Sequence, residues 1–291
     1  MDMPKTREEL LADLKEKALE IRVKSLQLIT RGRFGHPGGS LSAADLVAAL
    51  YFHFLRLDPQ NPGWDGRDRL VLSKGHGVPP FYVALALRGF FTWDDLYSNY
   101  GHVGSKFQGH PDMRKTPGIE ISAGSLGQGL SVAVGMALAA KADGKAHHVF
   151  CFMGDGECDS GQIWEAAMAA AHYRLTNLIG IVDRNKVQAK GFTHEIMNLE
   201  PLADKWTAFG WHVLEIDGHG AAAILDALYE ATHLNHTGRP VVIIAHTVKG
   251  RGVSWMENSS FWHNNVPSPE ECERAVQELI SAGKDAYLWR R

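Results

Sequence analysis

Cysteine is scarce: Cys151, Cys158 and Cys272 are the only three in 291 residues. Their spacing makes neither a metal knuckle nor an even-numbered disulfide framework, which points to a reducing cytoplasm. Long apolar runs are missing too. No stretch approaches the ~20 residues that span a bilayer. The opening MDMPKTREELLADLKEK is too charged for a secretory signal or a membrane anchor. Positive charge is not in excess, since 30 Lys and Arg face 33 Asp and Glu for a net charge of −3. The basic residues are scattered, so neither nucleic acid nor an anionic membrane surface is an expected partner. Repeats, low-complexity segments and long linkers are lacking. The expectation is one domain over 1–291, with 270–291 as a C-terminal extension.

What is present is an apolar fraction of 45%, enough for a large core. Glu8–Thr30 has the periodicity of an amphipathic helix, GHPGGS is read as a break after it, and Ser42–Leu55 reads as a second helix. A short strand is expected at Arg69–Ser73, and helices near Phe81–Arg88 and over Leu126–Lys141. From His148 the pattern is regular. Strands at 148–153, 178–182, 211–216 and 241–245 alternate with helices at 162–173 and 221–234. Near-continuous apolar strands alternating with helices predict an α/β fold, a parallel sheet flanked by helices on both faces.

Ligands of such sheets sit beyond the carboxyl ends of the strands. Two ends stand out: Gly154-Asp155-Gly156, and Asp183-Arg184-Asn185-Lys186-Val187 one βαβ unit later. Asp155, Asn185 and a backbone carbonyl are oxygen donors of the kind Mg²⁺ shares with phosphate oxygens. Either stretch alone is equally well an ordinary turn. His36 and His110 each precede a proline and read most simply as turn residues, and histidines such as His147, His172 and His233 as surface or packing residues.

Gly-Asp-Gly followed by Asn185 about 30 positions on resembles the thiamine diphosphate-binding motif. Gly35-His-Pro-Gly-Gly-Ser40, Leu72-Ser-Lys-Gly-His76, Gln108-Gly-His-Pro-Asp112, Gly124-Ser-Leu-Gly-Gln-Gly129, Lys249-Gly-Arg-Gly252 and Trp262-His263 follow in the order found in the N-terminal half of transketolases. The resemblance covers roughly residues 10 to 270. It implies the thiamine diphosphate-binding fold in its diphosphate-binding form, with Mg²⁺, or Ca²⁺ or Mn²⁺ in its place, held by Asp155, Asn185 and the Val187 carbonyl. It implies cofactor contacts from Gly39, His76, Gly124, Ser125, Leu126, Asp155, Gly156, Glu165, Asn185, Lys249 and His263. His36, His76, His110 and His263 would serve catalysis, because ketol transfer moves protons at sugar hydroxyls and a carbonyl.

The implied reaction passes a two-carbon ketol unit from a ketose, expected to be phosphorylated, to an aldose. In transketolases the activating glutamate and the pyrimidine-binding domain lie in the other half of the chain. The expected partner is therefore a separate C-terminal subunit carrying both, in an α2β2 assembly, and the chain alone should be inactive. Ser160 stands where transketolases usually carry Glu, and Asn264 where Trp-His-Gly is usual, two departures that bear on coupling of paired sites and on the substrate loop. Three other readings are the α subunit of a 2-oxoacid dehydrogenase, a non-catalytic subunit of a thiamine diphosphate enzyme, and deoxyxylulose-phosphate synthase, which has related glycine-histidine motifs but normally carries both halves on one chain. The contexts GHPGG and QGHPD count against the first, and the intact set Asp155, Glu165, Asn185 and His76 against the second.

Overall fold

The computed structural model describes residues 5–234 and 237–288. The first four residues and the last three of the expected domain, 289–291 of its extension included, lie outside the described residues. Five strands form one parallel sheet in the order β1-β2-β3-β5-β4. They are β1 Arg69–Leu72, β2 Val149–Gly154, β3 Leu178–Arg184, β4 His212–Asp217 and β5 Val241–His246.

Because strand side chains alternate, one set of strand residues feeds each face. Leu70, Leu72, Phe150, Phe152, Ile179, Ile181, Val241 and Ile243 pack under α1 Arg7–Gly32, α2 Pro37–Ala49 and α3 Pro79–Leu87. The short α4, Trp93–Asn99, lies beside them. Val71, Cys151, Met153, Val182, Val242 and Ile244 pack under α5 Gln128–Ala142 and α6 Gly161–His172. A short α7, Thr193–Ile196, leads to α8 Leu202–Ala208 on that same side. The next helix, α9 Ala221–Tyr229, returns to the first face.

That return has a topological cause. The chain steps outward from β2 to β3 and past it to β4, then comes back to place β5 between β3 and β4. Right-handed crossovers put helices of opposite steps on opposite faces, so α6 and α8 lie on one side and α9 on the other. The reversal at β3 and β5 opens a crevice at their carboxyl ends.

Most expected elements are present within two residues, with one displaced boundary of consequence. The break after α1 is shorter than expected: α1 ends at Gly32, capped by Arg33, which is left-handed at φ 53°, only Gly35 and His36 of the GHPGGS stretch lie in the break, and α2 already starts at Pro37. Proline suits the first helical turn, where its missing N–H is not needed, so Gly38, Gly39 and Ser40 belong to a helix start. The last helix, α10 Pro269–Leu288, docks on α1 through Cys272, Ala275 and Leu279, against Leu26, Val253, Met256 and Trp262.

Trp211, just before β4, is buried, donates from Nε1 to the Ala167 carbonyl at 2.9 Å and meets Trp206 edge-on at 5.0 Å between ring centroids. Trp211→Ala should therefore cost about 3–5 kcal/mol of folding free energy. Urea unfolding measures this, and a loss under about 1 kcal/mol would contradict the packing described.

Candidate active site

The crevice is a cavity of about 330 Å³ at the carboxyl edge of the sheet. Four strand ends build it: Lys74 and His76 after β1, Gly154 at the end of β2 with Asp155 to Glu157 behind it, Asn185 and Val187 to Ala189 after β3, and Lys249 after β5. His36 and Gly39 enter from the start of α2, and Gly124 and Leu126 from the segment leading into α5.

Asp155 is 3% exposed, and its carboxylate accepts N–H groups from Gly156 at 2.7 Å and Lys186 at 2.5 Å. Burial, then the neighbouring Asp183 charge, pushes its pKa up to about 6. Asn185 Oδ1 accepts the Val187 N–H at 3.1 Å. Between them Lys186 is left-handed at φ 65°, a conformation that costs a non-glycine residue energy and recurs at functional sites. That turn gathers the Asp155 carboxylate, the Asn185 amide and the Val187 carbonyl into one network. Gly156 has a plain steric reason, since a Cβ there would stand 2.7 Å from Gln188 Cγ.

Two buried charged groups flank these oxygens. Asp183 is fully buried and accepts from Lys74 Nζ, from Thr247 Oγ1 and from Ser42 Oγ at 2.7 Å. Burial alone would raise its carboxyl, but the Lys74 charge and these hydrogen bonds outweigh burial and hold it below the usual range. Lys249, 2% exposed, donates from Nζ to the Val187 carbonyl at 2.8 Å and lies 2.8 Å from His263 Nδ1. Burial lowers it to about 8. An ammonium has no lone pair, so His263 Nδ1 must accept and its proton sits on Nε2.

The four histidines come together. His36 lies 4.8 Å from His76, 5.3 Å from His263 and 6.4 Å from His110 between ring centroids. Burial first, and neighbouring cations and imidazoles second, hold His36 at about 4, His76 at about 2 and His263 at about 3. Burial also lowers His110. All four are neutral at pH 7 and act as hydrogen-bonding groups rather than as cations.

Twelve of the residues expected at the site line the cavity: His36, Gly39, His76, His110, Gly124, Leu126, Asp155, Gly156, Asn185, Val187, Lys249 and His263. Ser125 and Glu165 do not. Ser125 is exposed on the approach to α5, and Glu165 is exposed on α6, whose buried face is Ile163, Ala166, Ala167 and Ala170. The acid that does reach the cavity is Glu157, which sequence reasoning passes over. Buried at 3% exposure, it accepts from Ser73 Oγ, the Gly127 N–H at 2.7 Å and the Gly154 N–H at 3.1 Å. It thus ties β1, β2 and the start of α5 together, and Gly127 meets it at φ 84°, a conformation natural to glycine. Gln188 and Ala189 also line the cavity without having stood out in the sequence, and Lys74 and Gly154 line it from within the quoted motifs, where they had been given no role. A lysine directly behind a buried strand is the available signal for Lys74. Ser160 caps α6 without a side-chain bond, and Asn264 follows His263 outside the cavity lining.

Residues 14–280 match the family described as transketolase, thiamine diphosphate binding domain. The chain belongs to the transketolase family. It is 48% identical over 271 residues to SqwG, a subunit of the 6-deoxy-6-sulfo-D-fructose transketolase of Clostridium sp. (strain MSTE9), across 93% of this chain and 98% of that one. It is 44% identical over 258 residues to one subunit of the apulose-4-phosphate transketolase of Phocaeicola vulgatus, across 89% and 90%. The solved transketolase of Campylobacter jejuni superposes with a TM-score of 0.85 at 33% identity, over 96% of this chain and 43% of that one. The Leishmania mexicana enzyme gives 0.85 at 32%, over 91% and 41%. The chain thus spans about two-fifths of the length of these solved transketolases. Its nearly full-length match to proteins named as transketolase subunits bears out the expected class, a transketolase subunit with a thiamine diphosphate-binding domain.

The neutral imidazoles give a pH expectation for the cofactor-free chain. Unfolding frees His36, His76 and His263 to titrate near 6.5, above their folded values, so the unfolded chain binds more protons as pH falls. Their contribution to stability is complete above about pH 6.5 and declines from there toward pH 4, where His36 titrates in the folded state. Denaturant midpoints measured from neutral pH down to about pH 4 test this, and His36→Asn should flatten the decline. A midpoint independent of pH would contradict it.

Proposed function

We propose that this chain is the thiamine diphosphate-binding subunit of a two-polypeptide transketolase. With a separate C-terminal subunit that brings the pyrimidine-binding domain and the activating Glu, it transfers a ketol unit from a ketose to an aldose. The observation that carries this reading is the cavity itself, where an all-oxygen donor set and a buried lysine share one space with four neutral imidazoles.

The donor set fits the implied metal. Asp155 is a buried carboxylate held only by backbone N–H groups, and burial, with the neighbouring Asp183 charge, raises its pKa. Asp155, Asn185 Oδ1 and the Val187 carbonyl offer hard oxygen ligands suited to Mg²⁺, with Ca²⁺ or Mn²⁺ as substitutes. Lys249 now bonds the Val187 carbonyl. As a compact cation on a flexible stem, it suits contact with a diphosphate.

When bound, thiamine diphosphate supplies the nucleophilic carbon and the electron sink for breaking and making the carbon–carbon bond. The chain's own part is to hold, orient and manage protons. Gly39 and Gly124 leave the walls open, since a Cβ on Gly39 would meet nothing nearer than Lys74 Nζ at 3.9 Å. His36, His76, His110 and His263, being neutral, can both give and take hydrogen bonds at sugar hydroxyls and the carbonyl. We assign as donor a ketose with an anionic tail, sulfonate or phosphate. That class is supported by the names of the two relatives of similar length.

In this reading 1–291 is one diphosphate-binding domain with 270–291 as its C-terminal extension, whose described part packs as α10. Exposed apolar side chains on α5 and α6, among them Val132, Leu138 and Met168, with Tyr173 just after α6, suit an α2β2 assembly, because such patches mark protein contacts. No helix among the described residues is long and apolar enough to cross a membrane, and the three free, buried cysteines fit a cytoplasmic setting.

Gentle purification from the native cell with Mg²⁺ and thiamine diphosphate should bring down a second polypeptide with a pyrimidine-binding domain. The pair, and not this chain alone, should turn over ketose and aldose. Turnover at enzyme-like rates by the isolated chain, or recovery of a lipoyl acyltransferase instead, would overturn the proposal. Asp155→Asn should weaken cofactor binding by about 100-fold, the upper end seen even for outer-shell partners of a metal, and chelation should release the cofactor from wild type.

A further inference from the structure

Apart from the cavity, a nearly buried polar cluster joins α1, α2 and the turn after β4. Arg22 on α1 reaches Asp45 on α2 through Nη2 and, at 3.3 Å, through Nη1, and its Nε donates to the Leu41 carbonyl at 3.1 Å. Asp45 Oδ2 lies 2.7 Å from His219 Nδ1. All three side chains are nearly buried, at 11%, 13% and 10% exposure. The other ring nitrogen, Nε2, accepts the main-chain N–H of Val248 at 2.9 Å. An N–H aimed at Nε2 requires a lone pair there, so the imidazole proton sits on Nδ1 and points at Asp45. Asp45 therefore sets the tautomer that lets His219 hold the backbone.

That backbone is the segment that carries Lys249. Thr247 N–H donates to the Arg184 carbonyl at 3.1 Å and Gly250 N–H to the Gly38 carbonyl at 3.0 Å. Between these anchors, Val248 N–H is held by His219. The peptide next to Lys249 is thus oriented by a side-chain relay that begins on another helix and never touches the cavity. A lysine stem has four rotatable carbons. Where its ammonium lands depends on how firmly its Cα is fixed.

We propose that His219, with its tautomer set by the Arg22–Asp45 pair, is a positioning residue that fixes the Val248 peptide and so aims Lys249 at the diphosphate end of the cofactor. The proposal rests on the reading of the cavity as a thiamine diphosphate site. It predicts a difference between two substitutions of similar size. Glutamine can place an amide oxygen where Nε2 stands and still accept the Val248 N–H. Asparagine reaches only the position of Nδ1 and leaves that N–H without its partner.

The test uses the full chain, with amide hydrogen exchange at Val248 read beside the affinity for thiamine diphosphate in Mg²⁺. His219→Asn should accelerate exchange at Val248 by at least about tenfold and weaken the cofactor by about tenfold, the scale of one lost buried hydrogen bond. His219→Gln should keep exchange slow and affinity within about threefold of wild type. Unchanged exchange in His219→Asn, or equal losses in both variants, would overturn the relay, the second result marking a packing role only. Should His219→Asn fail to fold, His219→Gln decides: slow exchange supports the relay and fast exchange overturns it. A wild-type chain that binds no cofactor, while exchange at Val248 still separates the two variants, would strike the cofactor reading and leave the positioning of the peptide standing.

Discussion

Everything at the carboxyl edge of the sheet hangs on one buried carboxylate. Asp183 sits at full burial on the central strand β3 and gathers donors from the end of β1 (Lys74), α2 (Ser42) and the segment after β5 (Thr247). Such a charge is tolerable only when paired and hydrogen-bonded on every side. Its satisfaction forces four separate stretches of chain to converge at one point, which leaves neighbouring Asp155 as the carboxylate facing the cavity with backbone donors only.

The same burial dictates the character of the histidines. In water they would be partly charged near neutrality. Enclosed beside Lys74 and Lys249, they are held neutral well below pH 6.5, and a neutral imidazole can donate from one nitrogen while accepting at the other. A group that must shuttle protons along a sugar needs that dual character more than it needs charge. Glu157 plays the complementary part. Its two oxygens are engaged by Ser73, Gly127 and Gly154, so it stiffens the loops around the cavity.

Much of this is legible in the chain itself. Unbroken apolar strands separated by helix-period segments predict the parallel sheet, and Gly-Asp-Gly with Asn185 marks adjacent strand ends, which the pairing of Gly154 with Asp183 bears out. The start of α2 is misplaced in a sequence reading because proline and glycine look like a break, although proline at the first helical position is compatible with the helix. The short α4, α7 and α8 have too few turns to show a period. Glu165 draws notice because it lies between the two motif stretches. Linear position does not reveal which face of α6 an acid occupies, and the buried acid is Glu157, one residue beyond Gly-Asp-Gly.

By itself, then, the sequence determined the fold class and the strand ends that bear chemistry, because hydrophobic period and local turn chemistry are written into short windows, while twelve of the residues that line the cavity came from the motifs that resemble those of transketolases. Only the tertiary structure decided which charges pair. Lys74 with Asp183 and Asp45 with His219 are separated by 109 and 174 positions. Nothing in a local window specifies such partners. They are fixed by the parallel sheet, which brings the carboxyl ends of all five strands, β4 with the turn bearing His219 included, to one edge, where each buried charge finds its counterpart.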